Sequence, residues 1–313
     1  MTAQKPRHIL VPIDLSEPSR AGLTAGLAVA DRFGAKLTVV NVDTGAHSLR
    51  ESITTFGAFV DGNSALERRH DERLDATRQF VRDHLGADEF EAIDVRVIEH
   101  GGAAETICRI ADEEDFDWIC MAAAGRRGWR RLFLGSTAGE VVRNSRVPVL
   151  TLRDKTEGEG DIVFFDLRRV LVATDLGDHA GELVKTASAL AGKQGQLVLM
   201  HVIETPSDYG LYGAPVIAPA EDVNAAKEWS LAALEKLAAV IEGPGREPPQ
   251  VRVGRTAECL LDAEQELDPD LIVLGTHGRH GLERWTLGSV AEAVVRHARG
   301  PVLVVPNPAG KQS

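Results

Sequence analysis

The sequence predicts an α/β fold made of two tandem, doubly wound domains, each built on a five-stranded parallel sheet. Three observations lead to this prediction. The chain has 313 residues, about twice the roughly 150 of one domain. Its second half repeats the pattern of its first, and short apolar runs alternate with amphipathic segments throughout. Runs of Val, Ile and Leu without polar alternation indicate strands buried on both faces, and helices between them imply right-handed crossovers in a parallel sheet.

The internal repeat is visible at both ends of each half. HILVPIDLS at residues 8–16 and RVLVATDLG at residues 169–177 each indicate a buried strand that ends in an aspartate. Residues 117–152 and 270–305 align without a gap and are identical at 17 of 36 positions. The halves are therefore predicted to be homologous domains at residues 1–155 and 162–308, joined by the polar linker RDKTEGEGD at residues 153–161.

The individual elements follow from the apolar pattern. In the first half, ILVPI predicts the first strand, a helix follows from about Ser19 to Phe33, and LTVVNV predicts the second strand. Ser16 or Ser19 is expected to cap the start of that helix, and Gly34 its end. The next elements are a helix at 64–85, the strand IDVRVI, a helix at 104–114, the strand WICMA, a helix at 136–145 and the strand PVLTL. The second half repeats this order with the strands VLVAT, LVLMHVI, VRVG, LIVLG and PVLVV.

Composition excludes several classes of protein. The formal net charge of −12 predicts repulsion from nucleic acids and anionic membrane surfaces. The charge is uneven, since residues 1–155 carry 21 basic and 24 acidic side chains and residues 156–313 carry 14 and 23. No run approaches the roughly 18 apolar residues of a membrane span and no targeting segment is recognised, so a cytoplasmic location is expected. Without a CxxC motif, three cysteines are predicted to be reduced core thiols: Cys108, Cys120 and Cys259.

A candidate ligand site lies in the second half, at the predicted carboxyl ends of its strands. Asp175 ends the first strand, and Gly275-Thr-His-Gly278 directly follows the fourth. After nine intervening residues, Gly288-Ser289 begins a helix whose free N–H groups favour an anion. Gly278 would let the backbone approach a ligand closely. Because ligands of open parallel sheets bind at this edge, the sequence predicts a site for a nucleotide phosphate.

These residues resemble a known family. The pattern G-x2-G-x9-G-[S/T] after the fourth strand, the aspartate ending the first strand and the final strand PVLVV resemble the ATP-binding class of the universal stress protein family, in its tandem two-domain form. The resemblance covers nearly the whole chain, twice. It implies an adenine-nucleotide alpha-hydrolase-like fold that binds ATP together with Mg²⁺. It also implies that adenine and ribose lie along Ala173, Thr174 and Asp175 with Val202 on the base, that ribose and phosphates contact Leu274, Gly275, His277 and Gly278, and that Gly288, Ser289 and Val290 hold the phosphate chain.

The first half departs from this pattern. Its loop is Ala122-Ala-Ala-Gly125, followed after nine residues by Gly135-Ser136, so Ala122 replaces the first glycine and Ala124 replaces the histidine. A methyl group at Ala122 is expected to hinder a ribose, at small cost to the backbone where φ is negative. The residues that still match form a second, weaker candidate site: Pro12, Ile13, Asp14, Gly125, Gly135, Ser136 and Thr137.

Several of these residues have more than one interpretation. Asp14 and Asp175 could serve only as caps of the following helices. His277 has no further ligand at metal spacing, so it is expected to contact ribose or solvent, and neither metal-ligating nor catalytic residues are predicted. An arginine cluster in the first half is either a clamp for phosphate or another polyanion, or a solvated loop: Arg126, Arg127, Arg130 and Arg131, with Trp129 among them.

The predicted function is that of a cytoplasmic ATP-binding stress-response or signalling protein whose nucleotide occupancy changes its conformation or its affinity for a protein partner. The alternatives are a nucleotide-free scaffold, a binder of another small ligand, lipidic ones included, whose pocket residues 43–64 and 204–220 would shape, or a slow ATPase. Efficient turnover is not predicted, because Gly192-Lys193-Gln194 does not complete a G-x4-G-K-[ST] motif. A nicotinamide site is excluded because no G-x-G-x-x-G follows the first strand. The resemblance implies that the final strands pair to make an internal pseudo-dimer, while a homodimer stays open.

Overall fold

The computed structural model describes residues 5–45, 62–85, 90–123, 134–153, 167–204, 220–239, 241, 245–276 and 288–307. The chain divides into two compact units, of which one comprises Pro6–Phe165 and the other contains the described residues from 167 onward. Each unit contains a parallel sheet with helices between successive strands, which confirms the predicted fold class.

The first unit alternates strands and helices in the predicted order. Its strands are β1 (His8–Pro12), β2 (Lys36–Asp43), β3 (Asp94–Glu99), β4 (Trp118–Ala122) and β5 (Val149–Leu152). Its principal helices are α1 (Ser19–Phe33), α2 (Gly62–Arg82), α3 (Ala103–Glu113) and α4 (Ser136–Asn144). The strands are parallel and lie in the order β3-β2-β1-β4-β5. Strand order therefore reverses between β1 and β4, and ligands of open parallel sheets generally bind at the carboxyl ends beside such a reversal.

The second unit repeats this arrangement with one added segment. Its strands are β6 (Arg169–Ala173), β7 (Gln196–Ile203), β8 (Gly245–Arg246), β9 (Gln250–Val253), β10 (Leu271–Gly275) and β11 (Val302–Val305). Its helices are α5 (Ala180–Ala191), α6 (Ala220–Ala239), α7 (Thr256–Leu267) and α8 (Ser289–His297). The parallel order is β11-β10-β6-β7. The two-residue β8 was not predicted; it pairs with the start of β7 and β9 with its end, so both fill one strand position.

The strands form the core of each unit because helices cover both faces of the sheet. Ile9, Leu10 and Val11 of β1 have no exposed surface, and the same holds for residues 170–172 of β6. All three cysteines are free, but only Cys120 is buried; Cys108 and Cys259 are partly exposed, so the prediction of core thiols holds for one of them. No helix in the described part of the chain has the length and apolarity needed to cross a membrane.

An aspartate fixes the start of the central strand in each unit. Asp117 Oδ2 accepts hydrogen bonds from the backbone N–H groups of residues 7–8, at 2.7 and 3.0 Å. Asp270 Oδ2 accepts two from residues 168–169, both at 2.8 Å. Each carboxylate thus satisfies two backbone donors at the amino-terminal edge of the sheet and ties β4 to β1, or β10 to β6. We call this arrangement the aspartate clamp.

One predicted cap of α1 is confirmed and the other is wrong. Gly34 has a left-handed conformation (φ 66°) and its N–H donates to the carbonyl of Ala30, as expected for a helix C-cap. The N-cap position is Pro18 rather than Ser16 or Ser19, and no side chain caps it. The serine hydroxyls instead bond to an aspartate at the end of β1, described below.

Glycines bring α1 unusually close to the sheet. A Cβ on Gly22 would lie 2.9 Å from the nitrogen of Ala122 and 2.9 Å from the Cα of Met121, which is closer than real side chains approach. A Cβ on Gly26 would overlap a valine side chain of β1. The position in α5 that corresponds to Gly22 is Leu183, so this close approach belongs to the first unit.

Candidate functional site

The candidate site of the second unit lies at the carboxyl edge of its sheet. β6 ends at Ala173 and the neighbouring β10 ends at Gly275, with Leu274 paired to Ala173 across the two strands. Strand order reverses between these two strands, and ligands of open parallel sheets generally bind at the carboxyl ends beside such a reversal. The structure therefore brings together the residues that the sequence assigned to the ends of the first and fourth strands.

The turn after β6 is tightly bonded and strained. Thr174 is buried, its N–H donates to the carbonyl of Met200 at 2.9 Å, and its Oγ accepts from the N–H of Leu176 at 3.0 Å. Leu176 has φ 61°, a left-handed conformation that residues other than glycine rarely adopt. Asp175 Oδ1 accepts a hydrogen bond from the N–H of Gly177 at 3.0 Å. The Asp175 carboxylate therefore holds the turn and does not cap helix α5, whose N-cap position is His179.

His201 supports this turn from β7 and was not singled out from the sequence. Its Nδ1 lies 2.8 Å from the carbonyl oxygen of Thr174. Because a carbonyl oxygen only accepts, Nδ1 is the atom that carries the hydrogen of this bond. The next residue, Val202, is buried at the end of β7, where the resemblance places the base. The one sequence signal for His201 is a polar residue at the matching position of β2, Asn41.

The helix that follows β10 is anchored at its first turn. The N–H of Gly288 donates to the carbonyl of Thr276 at 2.8 Å, which fixes the start of α8 at the end of β10. Gly288 is the N-cap residue, with φ −59° and ψ 142°, and no side chain caps the helix. The N–H groups at Ser289 and Val290 therefore lie at an uncapped helix start, which carries a positive partial charge. Since any residue adopts the backbone angles of Gly288, a requirement for glycine there would come from space for a ligand.

The first unit reproduces much of this backbone. The N–H of Gly135 donates to the carbonyl of Ala123 at 2.8 Å, and α4 begins at Ser136 without a side-chain cap. Thr137 follows in its first turn, while Pro12 ends β1 and precedes Ile13 and Asp14. Neither Ala122 nor Gly275 has a positive φ, so the methyl group of Ala122 adds no backbone strain.

The two aspartates have different surroundings. Asp14 Oδ1 accepts the N–H of Ser16 at 3.0 Å, the hydroxyl of Ser16, and the hydroxyl of Ser19 at 2.6 Å. Ser19 is buried, and its Oγ also accepts the N–H of Asp14 at 3.1 Å. In the second unit, the positions that correspond to Ser16 and Ser19 hold Gly177 and Ala180. Neither aspartate is a simple helix cap, and within the described residues Asp14, unlike Asp175, is bonded to hydroxyl groups.

Two arginines of α2 reach the carboxyl end of β2, a feature that the sequence did not reveal. Arg69 makes a two-point ion pair with Asp43, with Nε–Oδ2 at 2.7 Å and Nη2–Oδ1 at 2.8 Å, and this pairing raises the pKa of Arg69. Arg73 Nε donates to Asn41 Oδ1 at 2.7 Å, and Asn41 Nδ2 donates to the carbonyl of Ile13 at 2.8 Å. The corresponding strand β7 ends in isoleucine where β2 has Asp43. The ends of β2 and β7 therefore differ in charge and polarity.

Some predicted site residues lie outside the described residues. These are Gly278 and His277 of the second unit, Gly125 of the first, and the arginine cluster with Trp129. Their proposed contacts remain predictions from the sequence.

Comparison with known proteins matches both halves of the chain to one family. The model of the universal stress protein family matches residues 5–153 and 166–306. A universal stress protein of Mycobacterium tuberculosis is 27% identical over 311 residues, which cover 96% of this chain and 97% of that relative.

A solved structure that covers nearly the whole chain agrees with it in fold. A universal stress protein from Archaeoglobus fulgidus superposes with a TM-score of 0.62 at 21% identity and covers 98% of both chains. Over 44% of this chain, a universal stress protein solved in complex with cAMP matches at 23% identity and a TM-score of 0.32. The matches to both halves decide the assignment: this chain belongs to the universal stress protein family and contains two of its domains in tandem.

Proposed function

We propose that the second unit binds ATP, with Mg²⁺, at the carboxyl edge of its sheet, and that nucleotide occupancy changes the conformation of the chain or its affinity for a protein partner. One observation carries the proposal. The 2.8 Å hydrogen bond from Gly288 to Thr276 sets an uncapped helix start at the end of β10, next to the strand that leads into the Asp175 turn. A donor surface and an acceptor carboxylate therefore face the same edge of the sheet.

The chemistry of these groups complements the parts of a nucleotide. The N–H groups of Ser289 and Val290, with the hydroxyl of Ser289, suit phosphate oxygens, which only accept hydrogen bonds at neutral pH. The carboxylate of Asp175 suits the hydroxyl groups of a ribose, which donate. The buried Val202 offers an apolar contact for a base. The resemblance to the ATP-binding class favours adenine among the possible bases.

The metal would be held chiefly by the nucleotide. Among the described residues, no group of three or more His, Cys, Asp or Glu side chains is placed to hold an ion. Mg²⁺ is commonly bound by substrate phosphates and water with one or two carboxylates, so the donor set at this edge fits a metal that arrives with ATP. The bound metal would neutralise part of the negative charge of the phosphates that lie next to the start of helix α8.

Binding rather than turnover is the proposed activity. The chain has no G-x4-G-K-[ST] motif, whose lysine and hydroxyl engage the phosphates and metal in many nucleotide hydrolases. We expect phosphate release from ATP to be slower than about 1 per second, the low end for ordinary enzymes. A faster rate in purified protein, lost on substitution of Ser289, would contradict a pure binding role.

Calorimetric titration of the full chain tests the site directly. We expect saturable ATP binding that Gly288→Val reduces at least about tenfold, because a branched side chain would enter the space of the phosphates. Gly135→Val is the matched control, since Gly135 has the same N-cap geometry in the first unit (φ −61°, ψ 144°). Its effect is expected to be small. Loss of binding in Gly135→Val with retention in Gly288→Val would move the site to the first unit.

The same titration separates the alternative functions. Absence of heat with ATP, ADP and GTP from folded protein would contradict nucleotide binding and favour a scaffold. Mass spectrometry of the small molecules that survive purification would reveal a different ligand, including an apolar one. Recovery of an adenine nucleotide supports the proposal.

A further inference from the structure

We propose that Ser16 and Ser19 withhold the Asp14 carboxylate from ligands, whereas Gly177 and Ala180 leave the Asp175 carboxylate available for the two adjacent hydroxyl groups of a ribose. These four positions would thus determine which half of the chain accepts a ribonucleotide. The inference rests on the proposed function, because it names the residues that restrict nucleotide binding to one unit.

The first unit saturates one carboxylate oxygen from within. Asp14 Oδ1 accepts three hydrogen bonds, two from Ser16 and one from the hydroxyl of Ser19 at 2.6 Å. A carboxylate oxygen has about two lone pairs, so Oδ1 has no capacity for a further donor. Ser19 has 5% of its surface exposed, which keeps solvent from competing for this bond.

The second unit leaves the equivalent carboxylate open. In the part of the chain that the structure describes, Asp175 accepts one hydrogen bond, from the N–H of Gly177 to Oδ1 at 3.0 Å, and Oδ2 accepts none. Ala180 occupies the place of Ser19 and is equally buried, at 5% exposure. The difference between the units is thus two hydroxyl groups within otherwise similar space.

The backbone does not explain the difference. Leu15 and Leu176, which follow the two aspartates, have nearly equal left-handed φ values of 63° and 61°. The helix starts at Gly135 and Gly288 are anchored by hydrogen bonds of equal length, 2.8 Å. Side chains, rather than the course of the chain, distinguish the two carboxylates.

The consequence for recognition follows from hydrogen-bond capacity. Two adjacent hydroxyl groups are best received by the two oxygens of one carboxylate, as Asp175 permits. At Asp14 one of those hydroxyl groups would have to displace Ser19, leaving a buried hydroxyl without its charged acceptor. The serines therefore act as an internal substitute for ligand hydroxyls.

Transfer of the serines to the second unit tests the inference. In the full chain, Gly177→Ser/Ala180→Ser should weaken ATP binding about tenfold or more, because hydrogen bonds to charged groups are lost. The wild type should prefer ATP to 2′-deoxy-ATP, and the double variant should lose that preference. Gly177→Ala is the matched control: a Cβ there lies 3.0 Å from Asp175 Oδ2, so it reproduces the crowding without the hydroxyl. Ala180→Ser alone serves if the double variant does not fold.

The reverse transfer identifies what disables the first unit. In a Gly288→Val chain, Ser16→Gly/Ser19→Ala should raise ATP affinity above that of Gly288→Val, and Ala122→Gly alone should not. Recovery with Ala122→Gly only, or with neither change, contradicts the inference. Unchanged affinity and selectivity in Gly177→Ser/Ala180→Ser contradict it while leaving the proposed function intact. Failure of the wild type to take up any nucleotide overturns the proposed function, and this inference with it.

Discussion

Single side chains in the two units perform the same task with different chemistry. Asn41 Nδ2 donates to the carbonyl of Ile13 and His201 Nδ1 to that of Thr174, each at 2.8 Å. Asparagine and histidine share an N–H donor at a similar reach from the backbone. The requirement is therefore a donor that ties the second strand of each sheet to the turn after the first. Sequence inspection missed both residues because a lone polar side chain in an apolar strand has no motif around it.

The left-handed leucines show a second limit of sequence analysis. Leu15 and Leu176 adopt φ values of 63° and 61°, which costs an L residue about 1–2 kcal/mol relative to ordinary conformations. Propensity would assign such a position to glycine or asparagine. The aspartate before each leucine offsets the strain, because its carboxylate accepts a hydrogen bond from the N–H of the residue that follows the leucine. A local hydrogen bond thus overrides the preference of the residue itself.

At the opposite edge of the sheet, His8 should make stability depend on pH. Burial lowers the pKa of His8, and the charges of Arg96 and Lys36 lower it further. Its ring packs on Phe116 with centroids 3.9 Å apart, and Nε2 lies 2.9 Å from Thr38 Oγ1. Because the folded-state pKa is below the unfolded value of about 6.5, the unfolded state binds more protons in mild acid. The contribution of neutral His8 is therefore complete above that unfolded value and is lost as the pH falls through the folded-state pKa.

Urea unfolding at pH 7.5 and pH 5.5 measures this effect. The free energy of unfolding should fall more between these pH values in the wild type than in His8→Gln, which removes the titrating group and retains a polar amide. Equal pH dependence in the two proteins would show that His8 does not contribute. The comparison is made between variants because other groups titrate over the same range.

At the scale of elements, the strands were the most predictable part of the chain. Burial on both faces selects uninterrupted Val, Ile and Leu, so β1, β4, β6 and β10 appear as apolar runs in the sequence. The start of α1 was not predictable, since the serines that resemble caps bond to Asp14 instead. The two-residue β8 was missed because a strand of two residues is too short to show a periodic pattern.

The packing of α1 on β4 leads to a prediction about glycine. Alanine normally favours a helix over glycine by about 0.5–1 kcal/mol. At Gly22 its Cβ would lie 2.9 Å from the backbone of β4, so Gly22→Ala should destabilise the first unit by about 1–3 kcal/mol. Gly181→Ala in α5 is the control, because nothing lies within 4 Å of a Cβ there, and should stabilise slightly. Midpoints of urea unfolding test both; stabilisation by Gly22→Ala would contradict the close packing.

At the scale of the whole molecule, ATP should act unequally on the two units. A ligand present at about 100 times its Kd stabilises the state that binds it by about 2.7 kcal/mol. Hydrogen exchange of the full chain, measured by mass spectrometry with and without ATP, should show added protection at 174–177 and 288–292. Segments 14–16 and 135–139 should change little. Protection confined to the first unit, or equal in both, would contradict the assignment of the nucleotide to the second.

The sequence predicted where the candidate sites lie better than it predicted how the sites of the two halves differ from each other. The aspartates and the glycines at helix starts were identified because their spacing is repeated, and the structure places them at the carboxyl edges of the two sheets. The hydrogen bonds from the serine hydroxyl groups to Asp14 were not foreseen, because Ser16 and Ser19 resembled ordinary helix caps. Spacing reports where a side chain stands in the fold, whereas its hydrogen-bond partners depend on rotamers that spacing does not determine.

The aspartate clamp separates two kinds of constraint on a duplicated gene. Asp117 and Asp270 perform the same backbone task at the amino-terminal edges of their sheets. At the carboxyl edges, by contrast, the first half has two serines where the second has glycine and alanine, and it has Asp43 where the second has isoleucine. The two halves therefore share this backbone-holding carboxylate at the amino-terminal edge, whereas several of their side chains at the carboxyl edge differ. An engineer could redesign the carboxyl edge of one half for a new ligand and leave the aspartate clamp at the amino-terminal edge unchanged.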